Sequence, residues 1–173
     1  MNIVARATLF ASLKHSGKVR KFSGLPYISH PVQVLQTVRE VTSDKEILAA
    51  AVLHDVIEDC DVTYTDLAQE FGERVASLVY EVTDAADDSD GDRATKAFLN
   101  RAAMSNASAE AQTIKLADII SNLSWFDIAL KCDPSWARVY LVEKIDMINT
   151  LTKGDASLKK RALTVAARLA IKT

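Results

Sequence analysis

Ile47-Leu48-Ala49-Ala50-Ala51-Val52-Leu53-His54-Asp55-Val56-Ile57-Glu58-Asp59 opens as an apolar helical run and closes on an imidazole and three carboxylates. The run reads as part of one helix from Asp44 to Ile57. Asp55, Glu58 and Asp59 then fall near its C-terminal end, where the helix dipole is already negative, so each is disfavoured unless a cation answers it. Helical spacing sets Glu58 one turn beyond His54 and Asp59 one turn beyond Asp55. Two ligand-type groups are followed, a turn later, by two acids.

Two other places interrupt an apolar pattern with a ligand-type residue. His30, in Pro26-Tyr27-Ile28-Ser29-His30-Pro31, stands at the boundary of a helix that Pro31 opens. Asp118, in Ile114-Lys115-Leu116-Ala117-Asp118-Ile119-Ile120, is a carboxylate that would be costly to bury unpaired. Two imidazoles and two carboxylates make a mixed nitrogen and oxygen shell with room for water, suited to manganese, iron or zinc.

Outward from these points the apolar period is helical nearly everywhere, with no alternating strand and no repeat. Helices are expected at Ile3 to His15, Pro31 to Glu40, Asp44 to Ile57, Thr65 to Phe71, Glu73 to Glu81, Arg93 to Ser105, Glu110 to Leu130, Pro134 to Thr150 and Ser157 to Ile171. Thr63 before Asp66 and Ser43 before Glu46 resemble capping boxes, and Gly72 and Gly154 mark helix ends. The expected fold is all-α, a single compact bundle of about eight to ten helices over residues 1–173. The acidic stretch Asp84 to Asp92 interrupts it as a solvated loop. A calcium loop is excluded there, because Gly91 in the glycine position would put Ala86 and Ala97 at the first and last ligand positions.

At 173 residues the chain fits one domain, and a net charge of −2 argues against a general nucleic-acid binder. Cys60 and Cys132 lack metal or redox spacing and read as reduced, packing thiols. The start of the chain has no signal-peptide pattern and no apolar run has membrane length, so a cytoplasmic protein is expected.

At this point the chain resembles a known family. His30, the His54-Asp55 doublet and Asp118 are similar to the metal-binding pattern of the HD-domain phosphohydrolases. Pro26 to Pro31, Leu53 to Asp59, Phe71-Gly72, Glu81-Val82-Thr83 and Ile114 to Leu123 stand in the order of RelA/SpoT-type alarmone hydrolase domains. The resemblance runs from about Ala5 to Tyr140, with the C-terminal helices at about 134–173 beyond most of it, and suits the small metazoan-SpoT-homologue-like enzymes.

The resemblance implies that His30, His54, Asp55 and Asp118 hold one divalent cation, manganese, and that Glu58 and Asp59 activate water. It implies phosphate contacts from Arg20 and Lys21, in a segment where Lys14 and Lys18 add further positive charge, and a weaker one from Arg93. It implies a nucleotide contact from Asn122 and pocket closure by an aromatic residue, here Tyr140. Trp125 and Phe126 are expected in the core, and His15 in packing. The implied reaction is hydrolysis of guanosine 3′-diphosphate 5′-di- or triphosphate to GDP or GTP and pyrophosphate, by a monomer or homodimer whose partner is that guanine nucleotide. Two alternatives compete: an HD phosphohydrolase for another nucleotide or dinucleotide phosphate, and a nucleotide-binding module without catalysis. The intact set of ligands and acids counts against the last.

Overall fold

A computed structural model describes residues 2–87 and 89–172. The described residues form eleven helical segments: α1 (Ile3–Lys14), α2 (Ser29–Arg39), α3 (Lys45–Leu53), α4 (Val56–Asp59), α5 (Tyr64–Phe71), α6 (Glu73–Val82), α7 (Arg93–Asn106), α8 (Ala109–Leu123), α9 (Phe126–Cys132), α10 (Pro134–Thr150) and α11 (Ala156–Ala170). The only β pairing among them is an isolated antiparallel bridge between Val19 and Pro26. The fold is all-α, as expected. None of the helices is long and apolar enough to cross a membrane.

Two helices expected to be continuous are broken, which turns nine ranges into eleven segments. The helix expected from Asp44 to Ile57 ends at Leu53, and α4 restarts after Asp55. Adjacent residues on an unbroken helix point about 100° apart and do not face each other. The turn at His54 and Asp55 lets both side chains reach one point, so tertiary contacts override local propensity. The helix expected from Glu110 to Leu130 likewise ends at Leu123, where the Ser124 hydroxyl donates to the Ser121 carbonyl at 2.6 Å. That side-chain bond competes with helix continuation and releases Trp125 from the helical path.

Every residue from Ile47 to Leu53 is buried, because α3 packs against α1, α2, α6 and α8. α8 in turn touches α2, α6 and α11, and buries Ile114, Lys115, Leu116, Asp118 and Ile119 among others. These two helices lie at the centre of the core, and ligand-type residues stand at the end of one and within the other. α3 is capped by Asp44, which accepts from the Glu46 and Ile47 amides, and not by Ser43. Asp44 is one residue closer to the helix and so better placed to meet its orphan N–H groups. The Thr63–Asp66 capping box is present.

α10 ends four residues before Gly154, whose role is close approach: a Cβ there would lie 2.8 Å from Leu116 Cδ1 and 3.1 Å from the Gln112 carbonyl carbon. Cys60 and Cys132 are both free thiols, but only Cys60 packs; Cys132, near the end of α9, is exposed.

Candidate metal centre

Three of the four ligand-type residues sit at helix boundaries, and the fourth, Asp118, lies within a helix. His30 is the second residue of α2, whose first turn accommodates Pro31 because that position needs no intrahelical N–H donor. His54 closes α3, Asp55 precedes α4, and Asp118 lies mid-way along buried α8. Their polar atoms converge. His30 Nε2 is 3.2 Å from His54 Nε2, 3.3 Å from Asp55 Oδ2 and 3.2 Å from Asp118 Oδ1. His54 Nε2 is 3.1 Å from Asp55 Oδ1 and 3.8 Å from Asp118 Oδ1. His30, His54 and Asp55 thus form a group of metal-ligand type, and Asp118 closes the fourth side.

The outer nitrogens of both imidazoles are committed elsewhere. His54 Nδ1 is 3.0 Å from the Ala51 carbonyl, which can only accept, so this nitrogen carries a hydrogen. His30 Nδ1 is 2.9 Å from Ser121 Oγ, and that hydroxyl donates to Gln33 Oε1 at 2.8 Å, leaving the oxygen to accept from the imidazole. Both Nε2 atoms therefore face the shared point with their metal-binding side.

The cluster draws positive charge. Burial works against a charged His54, yet the Asp55 and Asp118 carboxylates outweigh it and push the imidazole up, so positive charge, as a proton or a cation, is favoured at Nε2. Burial alone would raise Asp55 and Asp118; the histidines beside them, joined by Lys115 at Asp118, hold both well below the usual carboxylate range. Two largely buried imidazoles and two ionised carboxylates beside an open cavity fit a divalent cation of the manganese, iron or zinc type.

Tyr27, Lys115 and Asp84 extend the centre, and none was singled out from the sequence. The Tyr27 hydroxyl donates to Asp55 Oδ2 at 2.8 Å; burial, with Asp55 next, keeps the phenol protonated. Lys115, buried one turn before Asp118, has Nζ 3.7 Å from Asp118 Oδ2 and 3.3 Å from Asp84 Oδ1. Burial opposes its charge, but these carboxylates raise it above the usual lysine range. The signal for Lys115 was the one used for Asp118, a lone ionisable residue in an apolar helix. Asp84 comes from the acidic loop, of which Asp88 lies outside the described residues, and its amide donates to Glu58 Oε2 at 3.4 Å.

Beside the cluster opens a cavity of about 500 Å³, lined by Arg20, Lys21, Tyr27, His30, Glu58 and Asn122 together with Phe22, Trp125, Trp136 and Tyr140. The Val19–Pro26 bridge shapes the loop that supplies its basic wall, turning back through Gly24 at φ +68°, a conformation that favours glycine. Arg20 is buried; it donates to Asn122 Oδ1 at 3.1 Å and to Gln33 Oε1 at 3.4 Å, and lies 5.4 Å from the Trp125 ring centre.

Lys21 lies over the Trp136 ring, which stacks on Tyr140 at 4.6 Å. Glu58 stands at the rim, where desolvation on its inner side, reinforced by Asp84, lifts the carboxyl to about 7. The Asp59 backbone carbonyl accepts from the Lys18 ammonium, while its carboxylate lies beside the Tyr27 hydroxyl.

Some expected contacts fall elsewhere. Arg93 is not in this cavity; it forms a two-pronged pair with Glu143 at 2.7 and 2.9 Å and lines a neighbouring cleft. Asn122 is already engaged at both ends, donating to Asp118 Oδ1 at 2.6 Å and accepting from Arg20. Phe126 is in the core as expected, but Trp125, swung out by the break after Leu123, forms cavity wall. His15 packs, with Nδ1 3.4 Å from Cys60 Sγ and its ring 4.7 Å from that of Tyr27.

An all-α core that presents two histidines and two aspartates from three separated segments at one point defines a class, and the chain belongs to it: the HD domain family matches residues 7–172. Within that class the resemblance narrows. The guanosine-3′,5′-bis(diphosphate) 3′-pyrophosphohydrolase MESH1 of Danio rerio is 33% identical over 150 residues, covering 84% of this chain and 79% of its own length.

A solved structure of a metazoan ortholog of SpoT that hydrolyzes ppGpp superposes with a TM-score of 0.86 at 27% identity, over 97% of this chain and 96% of that one. The bifunctional (p)ppGpp synthase/hydrolase SpoT of Escherichia coli is 50% identical over 78 residues, 45% of this chain. The chain spans only 11% of that longer protein.

Proposed function

We propose that this chain, acting as one HD-type domain, hydrolyses guanosine 3′-diphosphate 5′-di- or triphosphate to GDP or GTP and pyrophosphate. The observation that carries the proposal is the convergence of His30, His54, Asp55 and Asp118 beside a cavity with an arginine and lysine wall and an aromatic one. Likeness to MESH1 over most of both chains supports the substrate. Manganese is the proposed cation, and a soluble cytoplasmic monomer or homodimer the proposed state.

A divalent cation at the four ligands would polarise a phosphoryl oxygen and acidify a bound water. The chain's own residues do the rest. Arg20 and Lys21 draw the 3′-diphosphate in against the field of the carboxylates. Glu58, close to half ionised at neutral pH, takes the proton of the attacking water, and Asp59 is its proposed partner in that task. The water oxygen bonds to phosphorus as the bond from phosphorus to the ribose 3′-oxygen breaks; the leaving oxygen takes a proton from solvent, and Glu58 releases the one it accepted. Trp136 and Tyr140 offer a stacked platform for the nucleoside.

The test is a hydrolysis panel with purified chain and manganese. The two alarmones should give pyrophosphate with GDP or GTP, while ordinary 5′-nucleotides should be left intact. Intact alarmones alongside rapid hydrolysis of a simple 5′-nucleotide would refute the proposal.

A further inference from the structure

Gln33, on the half-buried side of α2, accepts two hydrogen bonds on one oxygen, and the two donors belong to different parts of the site. Ser121 Oγ donates at 2.8 Å and Arg20 Nη1 at 3.4 Å. A guanidinium only donates, so Arg20 decides which end of the Gln33 amide faces inward. The inward oxygen in turn decides where the single Ser121 proton points. With that proton spent on Gln33, Ser121 Oγ can meet His30 Nδ1 at 2.9 Å only as an acceptor. His30 then carries its hydrogen on Nδ1 and turns a lone pair on Nε2 towards His54, Asp55 and Asp118. Direction is thus handed on from Arg20 to Gln33, to Ser121, to His30.

Take the Gln33 oxygen away and the logic reverses. The Ser121 hydroxyl is then free to donate to His30 Nδ1, which favours the tautomer with hydrogen on Nε2, a nitrogen that no longer ligates. Arg20 loses one of its two side-chain acceptors and is held by Asn122 alone. We propose that Gln33 is a positioning residue: through Ser121 it keeps His30 in the metal-binding tautomer, and through the same oxygen it keeps Arg20 in the pocket. Cation affinity and substrate binding therefore meet at one side-chain amide. The inference rests on the proposed roles of His30 as ligand and Arg20 as phosphate contact.

Three substitutions in the full chain separate the two arms. Manganese affinity is read from the paramagnetic resonance signal of the free ion, and KM for guanosine 3′-diphosphate 5′-diphosphate is read at saturating manganese. Gln33→Leu removes the shared acceptor, and outer-shell losses of this kind weaken metal affinity about 10–100-fold; KM should rise with it.

Ser121→Ala cuts only the His30 arm, so manganese should bind about 10-fold more weakly or worse while KM stays near the wild-type value. Gln33→Glu keeps an acceptor for Ser121 but adds a charge that pairs with Arg20. Manganese affinity should then stay near wild type while KM rises. It also keeps the test open should the leucine variant fail to fold.

Equal manganese affinity in wild type, Gln33→Leu and Ser121→Ala would overturn the inference, and so would a Gln33→Glu chain that loses manganese as the leucine variant does. A wild-type chain that binds manganese but leaves the tetraphosphate intact refutes the proposed function instead. The manganese comparison still decides the role of Gln33.

Discussion

Glu58 gives the sharpest measurement. Its carboxyl, desolvated on one side and facing Asp84, sits at about 7 and not in the ordinary carboxylate range. A general base works in its ionised form, so activity should rise with pH through that value. With a single ionisation at 7, roughly 9% of the base is available at pH 6 and roughly 91% at pH 8, about a tenfold span in kcat.

The assay is pyrophosphate release from guanosine 3′-diphosphate 5′-diphosphate between pH 5.5 and 8.5 in saturating manganese. Glu58→Gln should lower the plateau on the order of 10²-fold and flatten the rise, with manganese affinity retained. Asp84→Asn removes a charge that raises the Glu58 carboxyl, so the midpoint should move to lower pH. A Glu58→Gln chain that keeps the wild-type profile, or an Asp84→Asn chain whose midpoint rises, would refute the assignment of Glu58 as base.

Asp59→Asn should likewise cost turnover while manganese binding is retained; a parallel loss of both, seen in the same titrations, would show that Asp59 ligates. Arg20→Ala should lower kcat/KM for the alarmone by about 1.5–3 kcal/mol, the worth of a charge-assisted contact, and, because Arg20 also orients the Gln33 amide, weaken manganese binding by no more than Gln33→Leu does. Chelation should abolish turnover and raise susceptibility to denaturant, because Asp55 and Asp118 lose their cation; added manganese should restore both. Gly154→Ala should destabilise the fold by about 1–3 kcal/mol, because its new methyl meets Leu116 and the Gln112 backbone, and urea unfolding measures the loss.

His30, His54, Asp55 and Asp118 draw notice because each interrupts an apolar pattern, and it is the resemblance to the HD-domain phosphohydrolases that joins them into one set. The breaks in the chain are not legible. Neither His54-Asp55 nor Ser124-Trp125 holds a glycine or proline; the first turn exists because side chains reach tertiary partners that local propensity does not register, and the second accompanies a Ser124 hydroxyl that bonds back to the Ser121 carbonyl. The same blindness assigned Trp125 to the core and left Gln33 and Ser121 unread, since a polar residue on a half-buried face looks ordinary until its partners, some ninety residues away, are in place. Arg93 has partners the sequence does not show: it pairs with Glu143 and lies 5.7 Å from the centre of the Trp136 ring, behind the cavity wall.

α3 is buried over its whole apolar length, whereas α7 buries only Met104. Amide hydrogens along Ile47–Leu53 should meet solvent deuterium mainly through global opening, while those of α7 should be released by local fraying. The imidazole at the end of α3 is thereby mounted on a helix whose amides should be among the slowest to exchange. Thermal agitation that loosens the periphery leaves the spacing of the two histidine nitrogens unaltered, and a metal centre built this way should outlast, on heating, the loops that feed it.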